Sequence, residues 1–342
     1  MASRAIVIGP ANYARDSGIA SHPEIAHSAR MYGQVLGSDP RWGPEAVEVL
    51  PPEQLTTIND VMGAVQSAAD QAEPGDTLLV VYIGHGAYWA DVPGDQVHFA
   101  VGSSRLRQPH TWMSSWYVYR AMRRSRASLK VLIADCCYSN MLPQLSAEGT
   151  LRGVLGIVHE GTCVLTATKN DRNAADAAGC PRLPADLQEC TPFSGHLLNV
   201  LTRGTKHYND EVTLGLMLDV VQEDMQRCGT PHDLPNMILN GGREGMPLFT
   251  NRMSPPDRER MPSAPASAEE WVETMKREGA QGFDRLLNDP VITGQVVSLL
   301  YQQSEEAVRH IALRVNKRAN QHFDRPELFA QYWAEVGPTL SA

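Results

Sequence analysis

Two short stretches of the chain pair a reactive side chain with the surroundings that chemistry needs. They are Val80-Val-Tyr-Ile-Gly-His85-Gly86 and Val131-Leu-Ile-Ala-Asp135-Cys136-Cys137-Tyr-Ser139. A thiolate rather than a thiol attacks a carbonyl, and a free cysteine with a pKa of about 8.5 is mostly protonated at neutral pH. An imidazole within reach takes that proton and later delivers one to a leaving amine. Glycines on both sides of His85 let a substrate backbone come close, and they free the Gly86 N–H to face a carbonyl oxygen. Taken singly, a buried cysteine is ordinarily a small hydrophobe and a histidine among strands is ordinarily structural. Together they carry more weight. Each stretch ends a run of buried-strand character, and ligands bind open α/β sheets at the carboxyl ends of strands.

The elements that must position these residues follow from periodicity. Apart from Glu48, Thr77, Lys130 and Thr166, residues 5–8, 46–50, 77–83, 129–134 and 163–167 are apolar, the pattern of strands buried on both faces. Helical spacing falls over 23–36, 57–72, 112–123, 194–201 and 214–225. The alternation predicts an α/β fold with a mainly parallel central sheet flanked by helices. Residues 169–189 lack a clear period and hold Gly179, Pro181 and Pro184, which reads as a long surface loop. Four prolines between 253 and 267 (Pro255, Pro256, Pro262 and Pro265) mark a linker. The domain reading is therefore 1–252, a linker at 253–267, and a small all-α module at 268–342. Ser267 with Glu270 fits a capping box, and Val308, Ile311, Ala312, Val315 and Ala319 share one helical face for packing.

Composition narrows the function classes. Net charge is −9, from 39 acidic against 30 basic residues, so no nucleic-acid partner is expected. No stretch approaches the roughly 20 apolar residues that cross a bilayer, and no membrane partner is expected either. Six cysteines, two of them adjacent, form no disulfide framework, which suits a reducing cytoplasm. Cys180 and Cys190 do not match CxxC spacing and no histidine pair accompanies them, so no metal is expected.

The two stretches resemble the His-Gly and Asp-x-Cys-x-Ser motifs of the caspase-like cysteine peptidases, nearest to metacaspases and bacterial caspase-family proteins. His85 and Cys137 are 52 positions apart, close to the roughly 50 of caspases. Arg4-Ala-Ile-Val-Ile-Gly-Pro-Ala-Asn-Tyr13 is similar to that family's first strand and turn. Val164-Leu-Thr-Ala-Thr168 and Thr191-Pro-Phe-Ser-Gly-His-Leu-Leu198 resemble its later strand and small-subunit helix. The resemblance spans about residues 4–251. It implies a caspase-hemoglobinase fold and peptide-bond hydrolysis through an acyl-enzyme, with Cys137 as nucleophile, His85 as base, and Gly86 and Cys137 N–H groups as oxyanion hole. Cys136 fills the motif's variable position.

Asp135 matches the acidic residue that lines the S1 pocket of metacaspases, which implies cleavage after Arg or Lys. The competing reading is that Asp135 caps the following helix. Ser28 or His27 falls where metacaspases usually offer a second S1 acid, and Asn140 stands where the family most often has glycine. No acidic cluster matching the family's calcium site is found, so no cofactor is expected. The resemblance further implies a protein or peptide substrate and a bacterial stress or antiviral setting. An upstream activator protein or small signalling molecule would act through the C-terminal module. Two other classes compete: a catalytically silent caspase-like scaffold, and a thiol amidase acting on small molecules.

Overall fold

The computed structural model describes residues 3–89, 96–146, 162–167, 180–228, 230, 232–240 and 245–258. Most of the predicted linker and the whole helical module at 268–342 lie outside the described residues. In chain order the elements are β1 (Arg4–Ile8), α1 (Pro23–Gly37), β2 (Val47–Val49), α2 (Ile58–Gln71), β3 (Thr77–Ile83), β4 (Gly86–Trp89), β5 (Gln96–Phe99) and β6 (Met113–Ser114). They continue as α3 (Ser115–Arg124), β7 (Leu129–Asp135), β8 (Thr162–Thr166), α4 (Pro192–Arg203), β9 (Glu211–Thr213), α5 (Leu214–Arg227), β10 (Asn236–Asn240) and β11 (Pro247–Thr250).

The five apolar runs form neighbouring strands of one six-stranded sheet, ordered β10-β8-β7-β3-β1-β2. All its pairings are parallel except β10 against β8. The inner strands are largely apolar because both faces are covered, whereas the edge strand β2 leaves Glu48 exposed. Leu79, Val81, Ile83, Val131 and Ile133 point to one face, packed by α1, α4 and α5. Leu78, Val80, Tyr82, Leu132 and Ala134 point to the other, packed by α2 and α3. The chain is thus a mixed α/β fold with a mostly parallel central sheet flanked by helices.

Local chemistry sets the helix starts. Pro23 opens α1 at a position where a missing N–H costs nothing. The Thr57 hydroxyl accepts from the Asp60 N–H to cap α2, and the Ser114 hydroxyl accepts from the Trp116 N–H to cap α3. The predicted helix over 112–123 begins three residues late, because Met113 and Ser114 pair with β5 instead. A small three-stranded sheet, β4-β5-β6, follows His85. Of the predicted surface loop at 169–189, residues 169–179 lie outside the described residues and 180–189 are irregular turns, mostly exposed but anchored inward at a few positions. Cys180, Leu183, Leu187 and Cys190 are buried in the core that α1 and α4 share. The start of the linker is also fastened: the Arg258 guanidinium hydrogen-bonds the backbone carbonyls of Met253, Asn209 and Asn251 and pairs with Asp210.

Candidate active site at the ends of two central strands

β3 and β7 are adjacent and parallel, with Ile83 opposite Asp135. The ladder continues one step further, since the Gly84 N–H donates to the Asp135 carbonyl at 3.0 Å. His85 lies two residues past Ile83, and Cys137 lies two past Asp135. The register therefore delivers both residues to the same level at the carboxyl edge of the sheet. Gly86 marks how close the two turns come. A Cβ built on it would stand 2.1 Å from the Cys137 carbonyl oxygen and 3.1 Å from Cys136 Sγ. No side chain fits there.

His85 is held by its surroundings. Its Nε2 lies 2.8 Å from the Ala20 carbonyl. A carbonyl only accepts, so Nε2 carries the hydrogen, and in the neutral ring Nδ1 is left as the acceptor. The ring meets Tyr13 edge-on, with centroids 5.5 Å apart, and His22 at 5.2 Å. Tyr13 is fixed in turn by donating to the Pro10 carbonyl at 2.7 Å. Burial is the main cause that holds the His85 pKa below the ordinary histidine value; the bond to Ala20 opposes it and the neighbouring His22 adds to it. The His85 backbone is anchored too, its carbonyl accepting from the Ala100 N–H at 3.0 Å. Tyr82 Oη lies 2.8 Å from that same carbonyl.

The two adjacent cysteines differ in environment. Cys136 is buried among the α2–α3 core residues, and burial pushes its thiol well above the usual cysteine range. Cys137 is partly exposed. Tyr138, directly after it, adopts a left-handed backbone with φ of 58°. Such a conformation is unfavourable for an aromatic residue. It turns the chain sharply from β7 into the 3-10 helix Ser139–Ser146, where the Met141 N–H donates to the Tyr138 carbonyl. The turn lifts Cys137 off the strand end.

The antiparallel ladder of β4 and β5 bears on the Gly86 amide. Ala100 N–H bonds to the His85 carbonyl, and Gly86 is opposite Phe99. Hydrogen-bonded and non-bonded pairs alternate along such a ladder, so the Gly86–Phe99 pair is a non-bonded one. The Gly86 N–H consequently faces away from β5.

Asp135 is buried, at 7% exposure. Thr191 Oγ1 and Ser194 Oγ each donate to its Oδ2 at 2.5 Å, and the Ser194 N–H donates to the same oxygen at 3.2 Å. The carboxylate thus caps the first turn of α4, a helix that begins 57 residues later, rather than the segment that follows it. Thr191, at the N-cap position, makes no side-chain cap bond of its own. Desolvation raises the Asp135 pKa above the usual carboxylate value, against the lowering effect of the Ser194 and Thr191 bonds.

Ser28 lies beside this network. The Thr191 N–H donates to Ser28 Oγ at 3.0 Å, and Ser28 Oγ lies 3.2 Å from Thr191 Oγ1. His27 points elsewhere, with Nε2 2.7 Å from the Asp186 carbonyl. Cys190 joins the Ser28 surroundings, and burial raises its thiol to about 11. Cys180 is in a different cluster, with His196, Cys228 and His232. Residues missed from the sequence are Ala20, Tyr13, His22, Thr191 and Ser194. Tyr13, Thr191 and Ser194 lie in stretches that carry the family resemblance, yet nothing in those stretches announces these contacts, and Ala20 and His22 lie in none. A separate groove of about 900 Å³ between α2 and α3 is lined by Met62, His98, Trp112, Tyr117 and Arg120 among others. Neither His85 nor Cys137 lines it.

No protein-family model matches the chain, and no curated protein matches it. Among solved structures, the chain is similar to protein GSU0716 from Geobacter sulfurreducens, at a TM-score of 0.45 and 16% identity, over 69% of this chain and 92% of that one. A likeness at that level carries no argument about fold or function.

Proposed function

We propose that the chain is a caspase-like cysteine endopeptidase of caspase-hemoglobinase fold, with Cys137 as nucleophile and His85 as general base. The observation that carries the reading is the register of β3 and β7, which brings His85 and Cys137 to one level at the sheet edge with Gly86 packed against the Cys137 carbonyl. The bond from His85 to Ala20 supports it, because it fixes the tautomer whose Nδ1 can accept a proton.

In this mechanism Nδ1 of His85 takes the Cys137 thiol proton, and the thiolate attacks the scissile carbonyl carbon. The oxyanion that forms is met by the N–H groups of Gly86 and Cys137. The tetrahedral species collapses, the C–N bond breaks, and His85 returns its proton to the leaving amine. Water, deprotonated by His85, then attacks the thioester and releases the acid and the free thiol. A depressed His85 pKa suits the role, because the ring stays neutral and ready to accept at pH 7.

Asp135 is the residue for a basic P1 side chain. Its bonds from α4 all fall on Oδ2, so Oδ1 is the oxygen offered to an incoming guanidinium or ammonium. A cation there would offset the desolvation that raises the carboxyl pKa. Of Ser28 and His27, the two residues at the place of the second metacaspase acid, Ser28 reaches Asp135 through Thr191, whereas His27 bonds the Asp186 carbonyl.

The test is a fluorogenic peptide library varied at P1, assayed on the full chain and on Cys137→Ala, with and without calcium. Cleavage after Arg or Lys that disappears in Cys137→Ala is the expected result. Cleavage only after Asp would overturn the role of Asp135. Activity that survives in Cys137→Ala would overturn the nucleophile.

A further inference from the structure

Four potential metal ligands meet on the side of the sheet where α4 and α5 pack. Cys180 Sγ, His196, Cys228 Sγ and His232 present ligand atoms that all lie within 4.8 Å of one another. They come from four separate places: the segment before α4, the first turns of α4, the C-cap of α5, and the turn leading to β10. In sequence they read Cys-x15-His-x31-Cys-x3-His. Only the last pair has a spacing that resembles a metal motif.

The histidines point to a ligand independently of the clustering. His196 is 1% exposed, and its Nε2 has no hydrogen-bond partner among the described residues. His232 Nε2 is buried and unpartnered in the same way. Two imidazole nitrogens left unsatisfied beside each other, with ring centroids 5.4 Å apart, are costly unless something occupies the space between them. His196 is also oriented from behind. Its Nδ1 lies 2.7 Å from Asp224 Oδ2, and Asn199 donates to the same oxygen at 3.1 Å. A carboxylate bonded to the distal nitrogen fixes the tautomer, aims Nε2 inward and raises its basicity, the usual arrangement behind a metal-bound histidine.

We propose that Cys180, His196, Cys228 and His232 bind one Zn²⁺ as a closed tetrahedral Cys2His2 site, structural rather than catalytic. The dimensions allow it with little movement. Zn–S bonds of about 2.3 Å and Zn–N bonds of about 2.0 Å put tetrahedral ligand atoms roughly 3.3–3.8 Å apart. The present upper limit of 4.8 Å closes to that by shifts of about 1 Å or less, mainly side-chain rotation. Charge also balances. Binding releases one proton from each thiol to solvent, and two thiolates with two neutral imidazoles leave the ion's surroundings neutral overall, as a buried site requires. All four ligand places are taken by protein, leaving no position for water or substrate. The site would tie residues 180–190, α4, the end of α5 and the edge strand β10 together. It involves neither Cys137 nor His85, so its test stands apart from that of the peptidase reading.

The experiment uses the full chain, expressed with zinc sulfate, dialysed exhaustively and assayed by elemental mass spectrometry. About one zinc per chain is expected, falling to background in Cys228→Ser and Cys180→Ser and retained in Cys163→Ala, a buried cysteine outside the cluster. If the serine variants do not fold, Co²⁺ added to the chelator-stripped wild type decides the matter. Tetrahedral d–d bands with thiolate charge transfer are expected, displaced by Zn²⁺, together with a rise in Tm of about 10 °C on metal addition. Wild type that retains no zinc and gives no tetrahedral Co²⁺ spectrum overturns the proposal. So does intact mass showing a Cys180–Cys228 disulfide in the freshly purified protein.

Discussion

Replacing Gly86 by alanine adds one methyl group and removes no hydrogen bond, since the Gly86 N–H survives. The Cβ would lie 2.1 Å from the Cys137 carbonyl oxygen, where real Cβ contacts stay beyond 3.0 Å. The atom it strikes is backbone, so the turns carrying His85 and Cys137 must separate by about 1 Å. A misplacement of that size costs on the order of 100-fold in rate, and forced overpacking costs about 1–3 kcal/mol. In a chain of this size that lowers Tm by roughly 1–4 °C. The assay pairs kcat/KM on the best fluorogenic peptide with the rate of Cys137 alkylation by iodoacetamide, followed by mass spectrometry. Both rates should fall, since the base then stands farther from the thiol. The control is Gly63→Ala in α2, where the new Cβ meets nothing within 4 Å; it should raise stability by up to about 1 kcal/mol and leave activity intact. Gly86→Ala with wild-type activity and Tm would refute the close approach of the two turns.

Other outcomes follow from the same geometry. The acid limb of the kcat/KM profile should fall below about 6.5, the ordinary histidine value, because burial lowers the His85 pKa. Its neutral form contributes stability above the unfolded value, and that contribution is lost as pH falls through the folded one. His22→Asn, which removes the neighbour that helps to lower the His85 pKa, should move the limb upward; an unmoved limb would show that His85 does not set it. Cys136→Ala should keep activity within a few fold and lose roughly 1 kcal/mol for the small cavity, measured by peptide assay and melting. Loss of all activity there, with the fold intact, would exchange the roles of the two cysteines. Asp135→Ala, which leaves Thr191, Ser194 and the first turn of α4 without an acceptor, should cost about 3 kcal/mol. Asp135→Asn should cost less yet lower cleavage after Arg by about 100-fold. The raised Asp135 pKa makes its contribution to stability greatest below about 3.9 and declining as pH rises through the folded value. The Tm of wild type minus that of Asp135→Asn should therefore shrink with rising pH across the acid range.

The sheet was legible because strands buried on both faces write largely apolar runs, and β3, β7 and β8 follow those runs within a residue. The four-residue strands β4 and β5 hold too little pattern to be read. Segment 180–190 is a mostly exposed loop as read, but its buried anchors were hidden because turns carry no period. It is packed so tightly that a Cβ on Gly195 would come within 2.5 Å of Leu183. The positions of His85 and Cys137 could be inferred from two strand ends. The partners that orient them could not, since Ala20 acts through a backbone carbonyl that every residue possesses. Asp135 shows the same limit: a local cap can be sought in the next few residues, but one donated to a helix 57 positions away exists only in the fold. The Cys2His2 cluster escaped for a related reason, its ligands being spread over four elements.

One helix joins these two undetected features. Thr191 and Ser194 bind Asp135 on β7, and His196, two residues on, is held by Asp224 and faces the cysteine–histidine cluster. The first turn of α4 is thus fastened to the strand that leads to Cys137 and to the proposed metal at once. Two restraints on one turn are expected to be non-additive, because the second still limits fraying after the first is gone. Hydrogen exchange at the Ser194 amide reads this directly. Stripping zinc from wild type should speed it modestly, as should Asp135→Ala in the zinc-loaded chain. Stripping zinc from Asp135→Ala should speed it by more than the product of the two separate effects. A purely multiplicative result would mean that the strand and the metal hold the helix independently, and that α4 does not couple them.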